Sequence, residues 1–252
     1  MSILDTINQH RSIRKFSDKP IEDQILDKIL NAGFRASTTG NMQTYSIIVN
    51  RDKANLEKIL PFHFGQKMVV EAPVFLTFNA DFNRFNQWCI QRNASPGYDN
   101  MLSFLTAAID AVIAAQNVAV AAEALGLGIC YLGTTLYNAD KLIEFYDMPK
   151  GVVPITSIAI GYPLEIPELV DRLPAKGIVH YEKYHHFSSQ EIDEIYHEKE
   201  NLELTRKLIE ENGTENLAQI FTQKRYTKET NVEFSKRILA VLEKQGFMNH
   251  QL

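Results

Sequence analysis

Residues Thr106–Leu125 read TAAIDAVIAAQNVAVAAEAL, and Gly126-Leu127-Gly128-Ile129-Cys130-Tyr131-Leu132-Gly133 follow directly. The first stretch is rich in alanine and apolar nearly all round, which predicts a buried central helix. Gly126 is placed to cap it, and Ile129–Leu132 predicts a strand. The order of these pieces decides the fold class. The glycines look like a dinucleotide fingerprint, but that fingerprint follows a strand and opens a helix. Here a helix comes first and a strand follows. What the glycines offer is close backbone approach to a flat ring, with N–H groups near Gly133 and Thr134 free to donate to it. A helix cap followed by a tight turn into a strand explains the same residues equally well.

Outward from this stretch, strands are predicted at Tyr45–Val49, Val74–Phe78 and Thr156–Gly161. Helices are predicted over Glu22–Ala32, behind Pro20, and over Asp52–Leu60. Further helices are expected after Gly65-Gln66-Lys67, from an Asn138 cap to Tyr146, over Ile192–Ile209 and over Val232–Gln245. Strands and helices do not alternate cleanly, so the fold class is α+β rather than doubly wound. Pro163, Pro167 and Pro174 stiffen a long loop before the charged, helical last third. The chain reads as a single domain over 1–252, with 189–252 a mainly helical C-terminal extension wrapping the core or a partner subunit.

Composition narrows the function. The 252 residues carry a net charge of -5, with 45% hydrophobic and 23% charged residues. No basic run supports nucleic-acid binding. No secretory signal is recognisable, and no apolar run is expected to span a bilayer. Cys89 and Cys130 form neither a disulfide framework nor a metal motif. A cytoplasmic protein without metal or membrane partner is expected.

The candidate chemistry begins at His10-Arg11-Ser12-Ile13-Arg14, after an amphipathic turn built on Ile3, Leu4 and Ile7. On a helix, Arg11 and Arg14 would share a face. With Ser12 they would form a clamp for a phosphate dianion. The loop Thr38-Thr39-Gly40-Asn41-Met42-Gln43 sets hydroxyls and amides in a row, able to read a heterocycle edge or a polyol. Gln66 stands at a helix start. Arg172 is a third candidate cation, with Asp171 or Glu168 as its alternative partners. Asp110, inside the apolar helix, is read as a structural hydrogen-bond acceptor. His180, His185 and His186 match no zinc spacing and are read as surface. No nucleophile–base set stands out.

Taken together and in order, these motifs resemble the nitroreductase-like family of FMN-dependent oxidoreductases, nearest to its bacterial NADPH-preferring nitroreductase and flavin reductase group. They include Ala36-Ser37 ahead of the polar loop, Ala114-Ala115-Gln116-Asn117 and Arg172-Leu173-Pro174. The resemblance spans roughly the first two-thirds of the chain. It implies a central mixed sheet flanked by helices, and an intertwined homodimer with two FMN sites at the interface. It assigns Arg11, Ser12 and Arg14, with His10 adjacent, to FMN. Thr38, Thr39, Asn41 and Gln43 would touch the flavin and its ribityl chain, and Gln66 would bond to the cofactor. Tyr131, Leu132, Gly133 and Thr134 would approach the ring near N5, and Arg172 would close on the phosphate.

The implied activity is NAD(P)H oxidation with reduction of nitroaromatics, quinones or free flavin, by ping-pong hydride transfer through flavin N5. No catalytic side chain is expected, because FMN carries the chemistry. NADPH or NADH is the implied electron donor. A same-fold flavin-binding protein without robust NAD(P)H oxidation, or a dimeric binding module without activity, are the alternatives. Two departures from the group stand out. Thr134 occupies the place of a second glycine, and Val170 that of a lysine. The stretch 201–227 also departs, leaving Arg206, Lys207, Lys224 and Arg225 as candidate cations for a nucleotide phosphate.

Overall fold

The structure is a computed structural model that describes residues 2–251. In chain order the helices are α1 (Ile3–Asn8), α2 (Asp23–Phe34), α3 (Lys53–Ile59), α4 (Met68–Glu71), α5 (Asn83–Gln91), α6 (Met101–Ala124), α7 (Thr134–Tyr137), α8 (Ala139–Phe145), α9 (Ser189–Asn201), α10 (Glu203–Asn212), α11 (Leu217–Gln219) and α12 (Lys228–Gln245). The strands are β1 (Tyr45–Asn50), β2 (Val74–Asp81), β3 (Gly128–Leu132) and β4 (Val152–Gly161). Two compact units emerge, 1–168 with 236–252, and 169–235. Their boundaries fall at 168/169 and 235/236, not at 189.

In the first unit the four strands form one sheet in the order β1-β2-β4-β3, with every neighbouring pair antiparallel. This corrects the mixed sheet that the resemblance implied. The parallel element is a single bridge, Ser12 to Ile129. It stays single because Ile13 turns into the core and Phe16 bridges Pro163 in the opposite sense. The isolated bridge nevertheless fixes the site.

Strand β2 is buried along its whole length, as a strand covered on both faces must be. Alternation sends Leu76, Phe78, Ile158, Ile160 and Ile129 to the face under α2 and α6. Phe75, Ala159, Cys130 and Leu132 go to the opposite face, with Leu56, Ile59, Val69 and Leu142. The alanines of α6 let it approach the sheet closely. At the crossing with α2, a Cβ on Gly33 would stand 2.6 Å from Val118 Cγ2, so only glycine fits there.

Helix α6 ends in a Schellman motif. Leu127 N–H donates to Ala122 O and Gly126 N–H to Glu123 O, each at 3.0 Å, with Gly126 left-handed at φ 81°. At 24 residues α6 is long and apolar enough to cross a membrane by length and composition, contrary to the sequence expectation. It packs on the sheet instead, and it is not buried all round. Leu102 (73% exposed), Leu105, Ile109 (58%), Val112 and Ile113 form one open stripe, the spacing of a single helix face. The apolar residues Ile3, Leu4 and Ile7 of α1 are open as well.

The predicted helix over 192–209 is broken, because Leu202 is extended (ψ 143°) between α9 and α10. Asn138 stands at the start of α8, but its amide donates to Phe62 O at 2.7 Å rather than capping the helix. The sequence reading did not anticipate α5 and α7: α7 is a single turn, whereas α5 does carry Phe85, Trp88 and Cys89 at helical spacing and was overlooked. In the second unit Ser188 and Glu191 form a capping box opening α9. Asp171 pairs with Lys199 at 2.7 Å, and Lys176 with Glu194 at 2.9 Å.

Candidate functional site

Residues 10–14 form no helix, and Ser12 makes an isolated strand bridge. Ser12 bridges Ile129, and Ile13 N–H donates to Ile129 O at 2.8 Å. The segment therefore runs alongside β3 in the same direction. Contact is close: a Cβ on Gly128 would lie 2.5 Å from Ile13 Cγ1. This overturns the helical premise of the clamp. In extended backbone, side chains alternate, so residues two apart share a side and residues three apart do not. Ser12 goes with Arg14, while Arg11 falls on the side of the buried Ile13.

The two arginines are accordingly unlike. Arg11 is engaged, donating to Pro167 O at 3.0 Å, to Gln9 O at 3.1 Å and to Gln9 Oε1 at 2.7 Å. A groove of about 410 Å³ on its side is also lined by Glu123, whose charge disfavours an anion. Arg14 is exposed and has no side-chain partner among the described residues. Its charge lies near enough to Cys130 to oppose the upward push that burial gives that thiol. His10 Nδ1 lies 2.7 Å from Glu123 Oε1 near the C-terminal end of α6.

Strand β3 delivers the next group. The Leu132 side chain is buried in the core, so only its backbone faces outward chemistry. The Tyr131 hydroxyl donates to Gln116 Oε1 at 3.2 Å, and burial, with the Glu123 charge second, raises its pKa. Beyond β3, Gly133 N-caps α7 and Thr134 is its first residue. Sequence reasoning missed this one-turn helix. The N–H groups of a helix's first turn have no partner inside it, which is why donors are available here. Nothing lies within 4 Å of where a Gly133 Cβ would stand, so the space beside it is open.

Thr134 joins this group to the turn that bears Gln66. Its hydroxyl lies 2.9 Å from Nδ1 of His63, a fully buried residue. Gln66 N–H donates to His63 O at 3.2 Å. The structure thus brings together His10, Ser12, Arg14, Tyr131, Gly133, Thr134 and the Gln66 turn.

The loop Thr38–Gln43 is held elsewhere. Asp110 Oδ1 accepts from Thr39 N–H (2.9 Å) and its hydroxyl (3.2 Å). Oδ2 accepts from Thr44 N–H (3.3 Å) and its hydroxyl (2.8 Å). The buried carboxylate is a structural acceptor, as its place in the sequence suggested. It pins a loop in which Gly40, Asn41 and Gln43 are all left-handed, with φ of 55°, 56° and 50°. Gln43 is spent on Asn41, donating to its carbonyl at 2.6 Å, while the Arg84 guanidinium holds Gln43 O. Thr38 has no side-chain bond among the described residues. Asp110 and Glu123 are thirteen residues apart on α6, roughly 20 Å at 1.5 Å per residue. No hydrogen bond or ion pair among the described residues links this loop to residues 10–14 or 131–134.

Arg172 belongs to the second unit. It donates to Val170 O (3.2 Å) and Asp171 O (2.9 Å), while Asp171 itself goes to Lys199. Neither carboxylate expected as its alternative partner pairs with it. Among the described residues no cluster could hold a metal.

The nitroreductase family profile matches residues 7–162. The chain is 38% identical over 175 residues to the oxygen-insensitive NADPH nitroreductase of Salmonella typhimurium, covering 69% of this chain and 71% of that one. It is 31% identical to the FMN reductase [NAD(P)H] of Bacillus subtilis, with 97% of each chain covered. A solved chain from Bacteroides fragilis superposes with a TM-score of 0.96 at 49% identity, over 97% of this chain and 100% of that one. With the profile covering more than half of the residues and a relative 38% identical, the chain belongs to the nitroreductase family.

Proposed function

We propose that the protein is an FMN-dependent NAD(P)H oxidoreductase that reduces nitroaromatics, quinones or free flavin. The observation that carries this reading is the Ser12–Ile129 bridge, which lays the Arg14 guanidinium, without a side-chain partner among the described residues, alongside the strand that leads into the first turn of α7. The donor set suits FMN. Arg14 and Ser12, with Arg11 and His10 beside them, would hold the phosphate. Tyr131 and the backbone of Leu132, Gly133 and Thr134 would meet the ring in the open space beside Gly133, with Gln66 across from them. Arg172 is assigned to the phosphate end on the resemblance alone.

FMN, when bound, would supply the hydride-transfer chemistry that links NAD(P)H oxidation to reduction of the acceptor. The chain's own task is orientation and electrostatics. Backbone N–H groups and a nearby cation favour negative charge on a ring above them.

The chain acts as a homodimer in this proposal. The open apolar stripe Leu102–Ile113, with Ile3, Leu4 and Ile7, supports a partner copy covering it. A partner would also bring its own Thr38, Thr39, Asn41 and Gln43 to the site, which the roughly 20 Å separation along α6 denies to the same chain. The cytoplasm is the proposed compartment.

The test is spectroscopic. Purified chain reconstituted with FMN should show flavin absorbance and bleach anaerobically on mixing with NADPH or NADH in a stopped-flow cell. The faster nucleotide identifies the donor. Colourless protein that cannot be reconstituted ends the proposal. Bound flavin that neither nucleotide bleaches turns it into a flavin carrier.

A further inference from the structure

His63 occupies an unusual place. It is fully buried at the end of a short turn (Leu60–His63), with its ring edge-on to Phe75 at 5.2 Å between centroids. Nδ1 meets the Thr134 hydroxyl at 2.9 Å, and Nε2 has no hydrogen-bond partner among the described residues. A neutral imidazole has one N–H and one lone pair. Whichever tautomer forms, one buried nitrogen is unmet, and a leucine there would leave none. What the imidazole gives in return is the bond to Thr134.

That bond joins two pieces of the proposed site. On one side is the turn that continues into Gln66, where Gln66 N–H donates to His63 O. On the other is the start of α7, where Gly133 and Thr134 present their N–H groups. One further hydrogen bond, from Asn138 Nδ2 to Phe62 O at 2.7 Å, spans the same seam. We infer that His63 is a positioning residue: its bond to Thr134 locks the Gln66 turn to the first turn of α7, so that the two edges of the ring site stand at a fixed separation. The inference rests on the reading that FMN binds there.

Proton supply is excluded as the role. Burial pushes the His63 pKa down to about 4, so the ring is neutral at neutral pH. Removed from solvent, it also has no route for recharging. It acts through geometry alone, and an amide that reaches the same hydroxyl should replace it.

The full-length chain is stripped of FMN and titrated with FMN by fluorescence, with the visible spectrum of each saturated complex recorded. The variants are His63→Asn, His63→Leu, Thr134→Val and the His63→Leu/Thr134→Val double. Asn places a polar atom near the position of Nδ1; Leu does not. The expectation is an FMN Kd raised about tenfold in both His63→Leu and Thr134→Val, a tenfold change being the scale of one lost hydrogen bond. The flavin band should shift in both, the double variant should be no worse than either single, and His63→Asn should stay within about threefold of the parent.

The inference is overturned if His63→Asn behaves as His63→Leu. It is overturned equally if the single effects multiply in the double, or if melting temperature falls while Kd and spectrum do not move. Should His63→Leu fail to fold, the contrast between Thr134→Val and His63→Asn decides by the same criteria. A parent chain that binds no FMN overturns the functional proposal and this inference together. A parent that binds FMN with unmoved variants overturns this inference alone.

Discussion

The two ends of α6 hold opposite kinds of machinery. Toward its N-terminal half, Asp110 accepts four hydrogen bonds and fixes a loop with three left-handed residues. Toward its C-terminal end, Glu123 takes His10, and the following residues lead to an exposed Arg14 with no partner. One end is finished without a ligand. Its polar groups answer one another, and strained backbone of the order of 1–3 kcal/mol per left-handed non-glycine residue is held by a buried charge. The other end carries charge that nothing in the described chain neutralises. The loop's polar groups are met within the chain; the segment beside β3 leaves a cation open to solvent.

This contrast can be broken by substitution. The largest effect is expected from Asp110→Ala, which leaves the N–H and hydroxyl of buried Thr44 without an acceptor and frees Thr39. It should cost about 3 kcal/mol or more, read as a lowered urea midpoint, because several buried donors go unmet at once. Next comes Arg14→Ala. FMN Kd should rise about 10- to 100-fold, the scale of one or two charge-assisted hydrogen bonds, while the urea midpoint stays put. Arg14→Lys should recover part of the affinity, since an ammonium lacks the forked geometry. If Arg14→Ala unfolds the chain as readily as Asp110→Ala, the two ends are not different in kind. The smallest effect belongs to Thr39→Val, at about 1 kcal/mol of stability, because the Thr39 N–H still reaches Oδ1. A loss as large as that of Asp110→Ala would mean the hydroxyl, not the backbone, holds the loop.

The elements with strong periodicity were legible in the sequence. The alanine-rich stretch, the Gly126 cap and the four strands stand where the pattern of apolar residues put them, because burial on one or both sheet faces leaves a direct mark on composition. The role of Asp110 was legible for a similar reason: a carboxylate on an apolar helix needs donors. The phosphate clamp was read on the wrong backbone. Arg11 and Arg14 look helical by spacing, but a chain laid against β3 alternates, and nothing within seven residues reveals a contact made with a strand more than a hundred positions away. Helix α7 and His63 were missed for the same cause. Their importance lies in a contact between distant segments, His63 with Thr134, which leaves no local periodicity. The open face of α6 was mistaken for core because an apolar helix face reads the same in sequence whether or not its own chain covers it.

Close approach of Ile13 to Gly128 carries a consequence for biosynthesis. The ribosome releases the N-terminal segment long before the strand it must lie against, and a side chain at position 128 would collide with Ile13, since a Cβ there would stand 2.5 Å from its Cγ1. Until residues near 129 have emerged, the Ile13 N–H lacks the carbonyl it bonds to, so the place of this segment is settled only late in translation.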